Sequence, residues 1–393
     1  MSMVTTPMGL SPAPKLRLVA TLAGMLWLLP VAANAVEPPD VLLAQSEALE
    51  EIQQETQLTE LSDADEERLG ELLRVAQQNV DNENYSAAIA AYQEALAIDR
   101  NNARLYSGIG YLQILKGDYQ LAVESYRQAI DRDSRNVSFR YGLAHGLYQA
   151  ERYAEAADAY RTITRMAPSE ANAYLGLGNM LLRQNEYDLA LNALEEAARL
   201  APNNAQVYEA IGLLYLQQER FEDALEPLQR ALRIDSNRGS IHGNLAKIWI
   251  YQGRERQAEE SLRRAISANP RDWESHYQLA LIMQERGDNA AAFIHFEETI
   301  EANPSFVPAQ AEFGSMLLER EQYIRAVISY RQIVRQFPED AGARYNLGLA
   351  LWGQGRREAA VDSLQKARRL YEQQENEAEV ERATSLLNAW GVE

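Results

Sequence analysis

Alanine recurs at Ala88, Ala122, Ala156, Ala190, Ala224, Ala258, Ala292, Ala326 and Ala360, nine times at a constant spacing of 34 without a gap. With 58 alanines among 393 residues, chance yields such a run about once in a million sequences. A period of this length marks an array whose units bury their apolar faces only against their neighbours. Nine such units run from Leu69 to Gln374. Other positions keep the same phase. Twelve residues before each alanine stands only Gly or Ala, as in Gly110, Ala144, Gly178 and Gly212. Four residues after it comes a large side chain, as in Tyr126, Tyr160, Leu194 and Leu228. Alternating small and large positions let two helices cross closely. Each unit is therefore predicted to be a helical hairpin. Gly117, Gly253, Gly287 and Gly355 mark the turn inside a unit. Pro168, Pro202, Pro270, Pro304 and Pro338 mark the step to the next, because proline cannot continue a helix.

Tyr174-Leu175-Gly176-Leu177-Gly178, then Tyr187, Ala190, Ala197 and Pro202, resemble the tetratricopeptide repeat. So do Tyr208, Ile211-Gly212, Tyr215, Phe221, Ala224 and Ala231. The resemblance covers residues 69–374. It implies an all-α fold, a right-handed superhelical solenoid of nine helix-turn-helix repeats whose first helices line a concave groove. There are departures: Arg100, Ser134 and Ser236 stand where the junction proline is expected, and Pro227 falls inside a second helix. A local kink or a shortened helix is expected there.

The array has accessories at both ends. Lys15 and Arg17 precede an apolar run, Leu18 to Val31, and Ala33-Asn34-Ala35 follows. This is the form of a secretory signal peptide, residues 1–35, cleaved after Ala35. Fourteen residues at 1.5 Å rise reach about 21 Å, short of a hydrocarbon core of about 30 Å, which favours cleavage over a retained anchor. No stable membrane insertion is expected after cleavage. The chain then belongs outside the cytoplasm, in a bacterial periplasm, or in a thylakoid lumen if its source is photosynthetic. Residues 36–68 hold eleven acidic residues and one basic, Arg68, and read as a solvated acidic spacer. Within it, Ser62 and Asp65 have the spacing of a helix N-terminal capping box. Residues 375–393 carry Val380, Ala383, Leu387 and Trp390 at helical spacing, as a C-terminal helix capping the array requires.

The implied groove displays aromatic and polar side chains. Tyr111, Tyr141, His145, Tyr148, Leu175 and Asn179 fall at groove positions of the early units. Leu213, Lys247, Tyr251 and Tyr277 follow further along. Gly108, Gly142 and Gly176 leave room between neighbouring tyrosines. Tyrosine offers stiff contact area with a hydroxyl handle, so these ten residues are the candidate peptide-binding set. A clamp of two Lys, two Asn and one Arg, which grips C-terminal carboxylates in some family members, is not matched. A ladder of groove asparagines, as in members attached to sugar transferases, reduces to Asn244 and Asn346.

Other chemistry has little footing. The chain has no cysteine, which excludes disulfides, thiolate metal sites and thiol nucleophiles. A net charge of −19 disfavours nucleic acid and anionic lipid surfaces. The only histidines are His145, His242, His276 and His295. His242 and His276 take places held by tyrosine in other units, where they read as packed rings; their spacing of 34 would stack them in adjacent units. Glu195-Glu196, Glu259-Glu260 and Glu297-Glu298 read as solvated faces of second helices. There is no glycine-rich phosphate loop and no nucleophile elbow. No cofactor, metal or catalytic residue is expected. The reading is a non-enzymatic exported scaffold for protein or peptide segments, serving assembly or stabilisation of a complex. The alternative is a cell-envelope polysaccharide-binding or assembly factor, since aromatic side chains also stack on sugars.

Overall fold

The structure, a computed structural model, describes residues 61–392. The leader at 1–35 and the spacer up to residue 60 lie outside them. Among the described residues all regular structure is helical. The helices are α1 Asp63–Asp81, α2 Tyr85–Ile98, α3 Ala103–Lys116, α4 Tyr119–Arg132, α5 Val137–Gln149, α6 Tyr153–Met166, α7 Ala171–Arg183, α8 Tyr187–Leu200, α9 Ala205–Gln217 and α10 Phe221–Ile234. They continue with α11 Gly239–Tyr251, α12 Glu255–Ala268, α13 Trp273–Glu285, α14 Asn289–Ala302, α15 Val307–Glu319, α16 Tyr323–Gln336, α17 Ala341–Gly353, α18 Arg357–Gln373 and α19 Glu377–Ala389. Even-numbered helices from Tyr85 to Arg357 start one alanine period apart, and so do odd-numbered helices from Ala103 to Ala341.

Local chemistry repeats with the same period. The side chains of Asn102, Asn136, Asn204, Asp272 and Asp340 accept hydrogen bonds from the first backbone N–H groups of α3, α5, α9, α13 and α17, donors a helix cannot satisfy itself. Ser62 caps α1: its hydroxyl accepts from the Asp65 N–H at 3.2 Å and donates to the Asp65 carboxylate at 2.7 Å. Helix α1 thus takes in residues 63–68, the last part of the segment read as spacer. Inside each hairpin one residue turns left-handed: Glu83, Gly117, Glu151, Asn185, Glu219, Gly253, Gly287, Glu321 and Gly355, again in phase. Glycine adopts this conformation freely, whereas five of the nine positions hold Glu or Asn at φ near 60°. Between hairpins, α6, α8, α12, α14 and α16 stop two residues before a proline. Helices α2, α4 and α10 stop at the same place before Arg100, Ser134 and Ser236. The break therefore does not depend on proline. Nor does Pro227 shorten its helix: α10 has the same 14 residues as α8 and α12.

All nine recurring alanines are fully buried. The small and large positions meet directly. A Cβ on Gly178 would lie 2.6 Å from Leu194 Cδ2, and one on Gly212 would lie 2.5 Å from Leu228 Cγ. At Gly178 and Gly212 the large residue of the second helix sits directly on the glycine of the first, closer than a side chain there would allow.

The described helices form two compact units, residues 61–236 and 237–392. In each, a first helix packs on its own second helix, and that on the following first helix. Successive first helices also touch, as in α3 with α5, α7 with α9 and α15 with α17, while successive second helices pack less closely. The second unit ends in a lid: Ala383 and Leu387 of α19 are buried with Tyr345, Leu364 and Tyr371. Trp390 stacks on Trp352, ring centres 4.0 Å apart and planes 2° from parallel, and the Arg357 guanidinium lies 3.8 Å from the Trp352 ring centre.

Candidate functional site

In the first unit, α3, α5, α7 and α9 carry Tyr111, Tyr141, His145, Tyr148, Leu175, Asn179 and Leu213. The structure sorts them. Tyr111, Tyr141 and Tyr148 are half-buried and keep contact area at the surface. Leu175 and Leu213 are 0% and 2% exposed. Both are core residues in the free protein. The room beside Gly176 is also internal: a Cβ there would lie 2.3 Å from Cε1 of the Tyr160 ring. Tyr160 belongs to the second helix of the preceding hairpin and fills the gap assigned to a ligand.

Around Tyr160 lies an aromatic cluster. Tyr141 meets its ring edge-on, centroids 6.0 Å apart at 72°. The Tyr141 and Tyr160 hydroxyls are buried without a hydrogen-bond partner. Burial pushes both far above the ordinary phenol pKa, with Tyr141 and Tyr148 adding to the effect on Tyr160. Tyr148 packs 6.0 Å from Tyr153, and Arg183 lies over both rings while donating to the Tyr148 hydroxyl at 3.4 Å. His145 Nε2 lies 3.0 Å from the Gln149 amide nitrogen, which donates, so the ring proton sits on Nδ1. Burial lowers the His145 pKa and keeps the ring neutral. Asn179 is buried on α7.

The second unit holds Lys247, Tyr251 and Tyr277. Tyr251 is 48% exposed. Tyr277 is buried against Phe296 and Phe306, edge-on to the latter at 4.9 Å. It packs as a core aromatic. Lys247 is not a free cation: its Nζ lies 3.2 Å from Glu274 Oε2, and both side chains are almost wholly buried. One turn before Lys247 on α11 is Asn244, and one turn after Glu274 on α13 is Gln278. Asn244 and Gln278 occupy the same place on successive first helices, one full period apart. Both are buried, and all four of their side-chain amide atoms lack a hydrogen-bond partner. A buried amide left unpaired costs about 1–3 kcal/mol. The sequence places Lys247 and Asn244 on the groove but does not show that Lys247 pairs with Glu274. The signal was an opposite-charge pair separated by one period less two helical turns, which brings side chains of neighbouring first helices together. The same place holds Gly108, Gly142, Gly176 and Ala210 in the first unit, and Asn244, Gln278, Glu312 and Asn346 in the second.

The histidines pair differently from expectation. His276 meets His295, Nδ1 to Nδ1 at 3.1 Å. His276 Nε2 lies 3.2 Å from the Pro270 carbonyl, which can only accept, so Nε2 carries the His276 proton and Nδ1 accepts from His295. Burial, then His276, then Arg263 lower the His295 pKa. Among the described residues no three His, Asp or Glu side chains are placed to hold a metal ion. On the second helices Glu195, Glu260 and Glu298 are exposed, as expected. Glu259 is not: it is buried and paired with Arg286 at 2.7 Å and with Arg263, and the Arg286 hydrogen bond holds its carboxyl below the usual range. Among the described residues no helix is long and apolar enough to cross a membrane.

The family described as cilia and flagella-associated protein 70 C-terminal domain matches residues 33–312, well over half of the chain, and the tetratricopeptide repeat matches residues 312–375. No curated protein matches at a significant level. Among solved structures, the chain is similar to that of Pseudomonas aeruginosa pilF, at 20% identity and a TM-score of 0.46, over 55% of this chain and 96% of that one. It is also similar to the APC/C hetero-tetramer Cut9-Hcn1, at 16% identity and a TM-score of 0.51, over 81% of this chain and 61% of that one. A third is YrrB, a TPR protein with an unusual peptide-binding site, at 20% identity and a TM-score of 0.36, over 48% of this chain and 96% of that one. At 16% identity the likeness to the Cut9-Hcn1 assembly speaks to the fold alone. The chain belongs to the tetratricopeptide-repeat family, the C-terminal repeat domain of cilia and flagella-associated protein 70 being the member that spans most of it.

Proposed function

We propose that the chain is an exported, non-enzymatic scaffold that holds extended protein segments on the first helices of its second unit and so helps assemble or stabilise a complex. The observation that carries this is the pair Asn244 and Gln278. Two buried amides in register, each with donor and acceptor unused, match a peptide main chain, which offers N–H and C=O groups in alternation. Pairing them on binding recovers the penalty they carry in the free protein. Lys247 and Glu274, neutralised by each other, hold the flanking positions rigid. Half-exposed Tyr251, one turn beyond Lys247, supplies contact area at the edge of this face. Tyr111, Tyr141 and Tyr148 supply a second aromatic surface in the first unit. Export rests on the apolar run and Ala33-Asn34-Ala35.

The test uses near-isosteric apolar variants. Asn244→Leu with Gln278→Met removes the unpaired polar atoms, so the variant should melt higher than the parent while capturing less partner when isolated from its native compartment. A variant that melts lower, or that captures its partners undiminished, refutes the role of these amides. Sequencing the N-terminus of the isolated protein tests export; a mature chain starting at Val36 is expected.

A further inference from the structure

Helices α14 and α16 present three large isoleucines to solvent: Ile294 is 56% exposed, and Ile324 and Ile328 are each 65% exposed. Ile294 and Ile328 hold the same place on successive second helices, and Ile324 lies one turn before Ile328. The two helices are neighbours, because Arg325 of α16 pairs with Glu297 of α14 and lies 5.7 Å from the Phe293 ring centre. One exposed isoleucine is ordinary; three on adjoining helices form a patch of the kind that marks an interface. The charges around it are divided by helix. Exposed Glu298 and Glu301 extend the patch on α14, and exposed Arg331 and Arg335 extend it on α16. None of these four forms an ion pair among the described residues, although Glu301 and Arg335 share a register. Helix α16 carries three arginines and no acidic residue, in a chain of net charge −19.

An apolar centre with an acidic flank on one helix and a basic flank on the next is complementary to itself. A half-turn rotation lays the α16 of a second copy over α14, so that its Arg331 and Arg335 meet Glu298 and Glu301, and the reciprocal contact forms at the same time. Contacts of this kind close at two subunits. We propose that this face is a self-association surface and that its occupant is a second copy of the chain. The isoleucines supply the apolar burial, and the two charge flanks fix the orientation and offset the mutual repulsion of two acidic molecules.

Sedimentation of the chain as isolated from the cells that make it tests this. The parent should sediment as a dimer. The pair Glu298→Arg with Glu301→Arg makes both flanks basic, and Arg331→Glu with Arg335→Glu makes both acidic; each should weaken self-association at least about ten-fold. Mixing the two variants restores complementarity across one interface, so the mixture should regain dimers at the concentration where the parent forms them. All substitutions are at solvent-exposed helix positions, and unchanged thermal unfolding of each variant confirms an intact fold. A parent that stays monomeric, variants that dimerise as well as the parent, or folded variants whose mixture stays monomeric would each overturn the proposal.

Discussion

The Tyr160 ring occupies the space that any side chain at Gly176 would need, with Cε1 only 2.3 Å from where a Cβ would stand. Tyr160 is fully buried and has no room to retreat. Gly176→Ala gains about 1 kcal/mol in helix propensity, but overpacking a rigid ring costs about 3 kcal/mol. The packing loss wins. A net loss of about 2 kcal/mol is expected, read from urea unfolding; a variant as stable as the parent would show that the ring yields.

Glu219 holds the left-handed turn between α9 and α10 at φ 59°. The conformation costs an L-residue about 1–2 kcal/mol, against about 0.5–1 kcal/mol of extra chain entropy for glycine. Glu219→Gly should therefore stabilise by about 0.5–1 kcal/mol. Gly117→Glu, at the same place three hairpins earlier, should act in the opposite direction. Equal signs for the two would rule the turn geometry out as the cause.

Stability should depend on pH through the buried histidines. Burial lowers the pKa of His145 and His295 below the ordinary histidine value of about 6.5. Below that pH the unfolded chain takes up protons that the folded chain refuses, so stability falls as the pH falls. Urea midpoints should be flat from about pH 8 to 7 and decline from about 6.5 towards 5. His145→Gln should remove part of that decline. A midpoint that rises on acidification would contradict the burial assigned to these rings.

Trp390→Ala should loosen the end of the second unit locally. In a repeat array each element leans on its neighbours, so the loss of the Trp352 stack reaches α17, α18 and α19 first. Hydrogen exchange should quicken in those three helices and stay unchanged in α3 to α9. Uniform quickening would mean that the lid stabilises the chain as a whole.

Repeat length, hairpin turns, buried alanines and the cap at Ser62 were legible in the sequence, because a periodic pattern reports which face of each helix is inside. What lay beyond it depends on contacts between hairpins. Lys247 with Glu274 and Glu259 with Arg286 share one sequence separation, shorter than the period, and their meeting is set by how far long side chains reach across stacked helices. Leu175 and Tyr277 share the phase of half-buried Tyr141, and Leu213 that of half-buried Tyr111, yet neighbouring helices cover them. His276 chose His295 over His242 for the same reason: ring nitrogens pair where the crossing of α13 and α14 brings them, whatever the period.

The uniform phase of helix starts, turns and glycine seats makes the hairpins of the first unit interchangeable as lengths of chain. Excising residues 137–170 would join Asn136, the cap of α5, to Ala171, the first residue of α7. Tyr126 would then arrive opposite Gly176, where Tyr160 had been, ring for ring. An array built this way can lose or gain a whole hairpin by unequal recombination and keep a tyrosine seated on the glycine at the new junction.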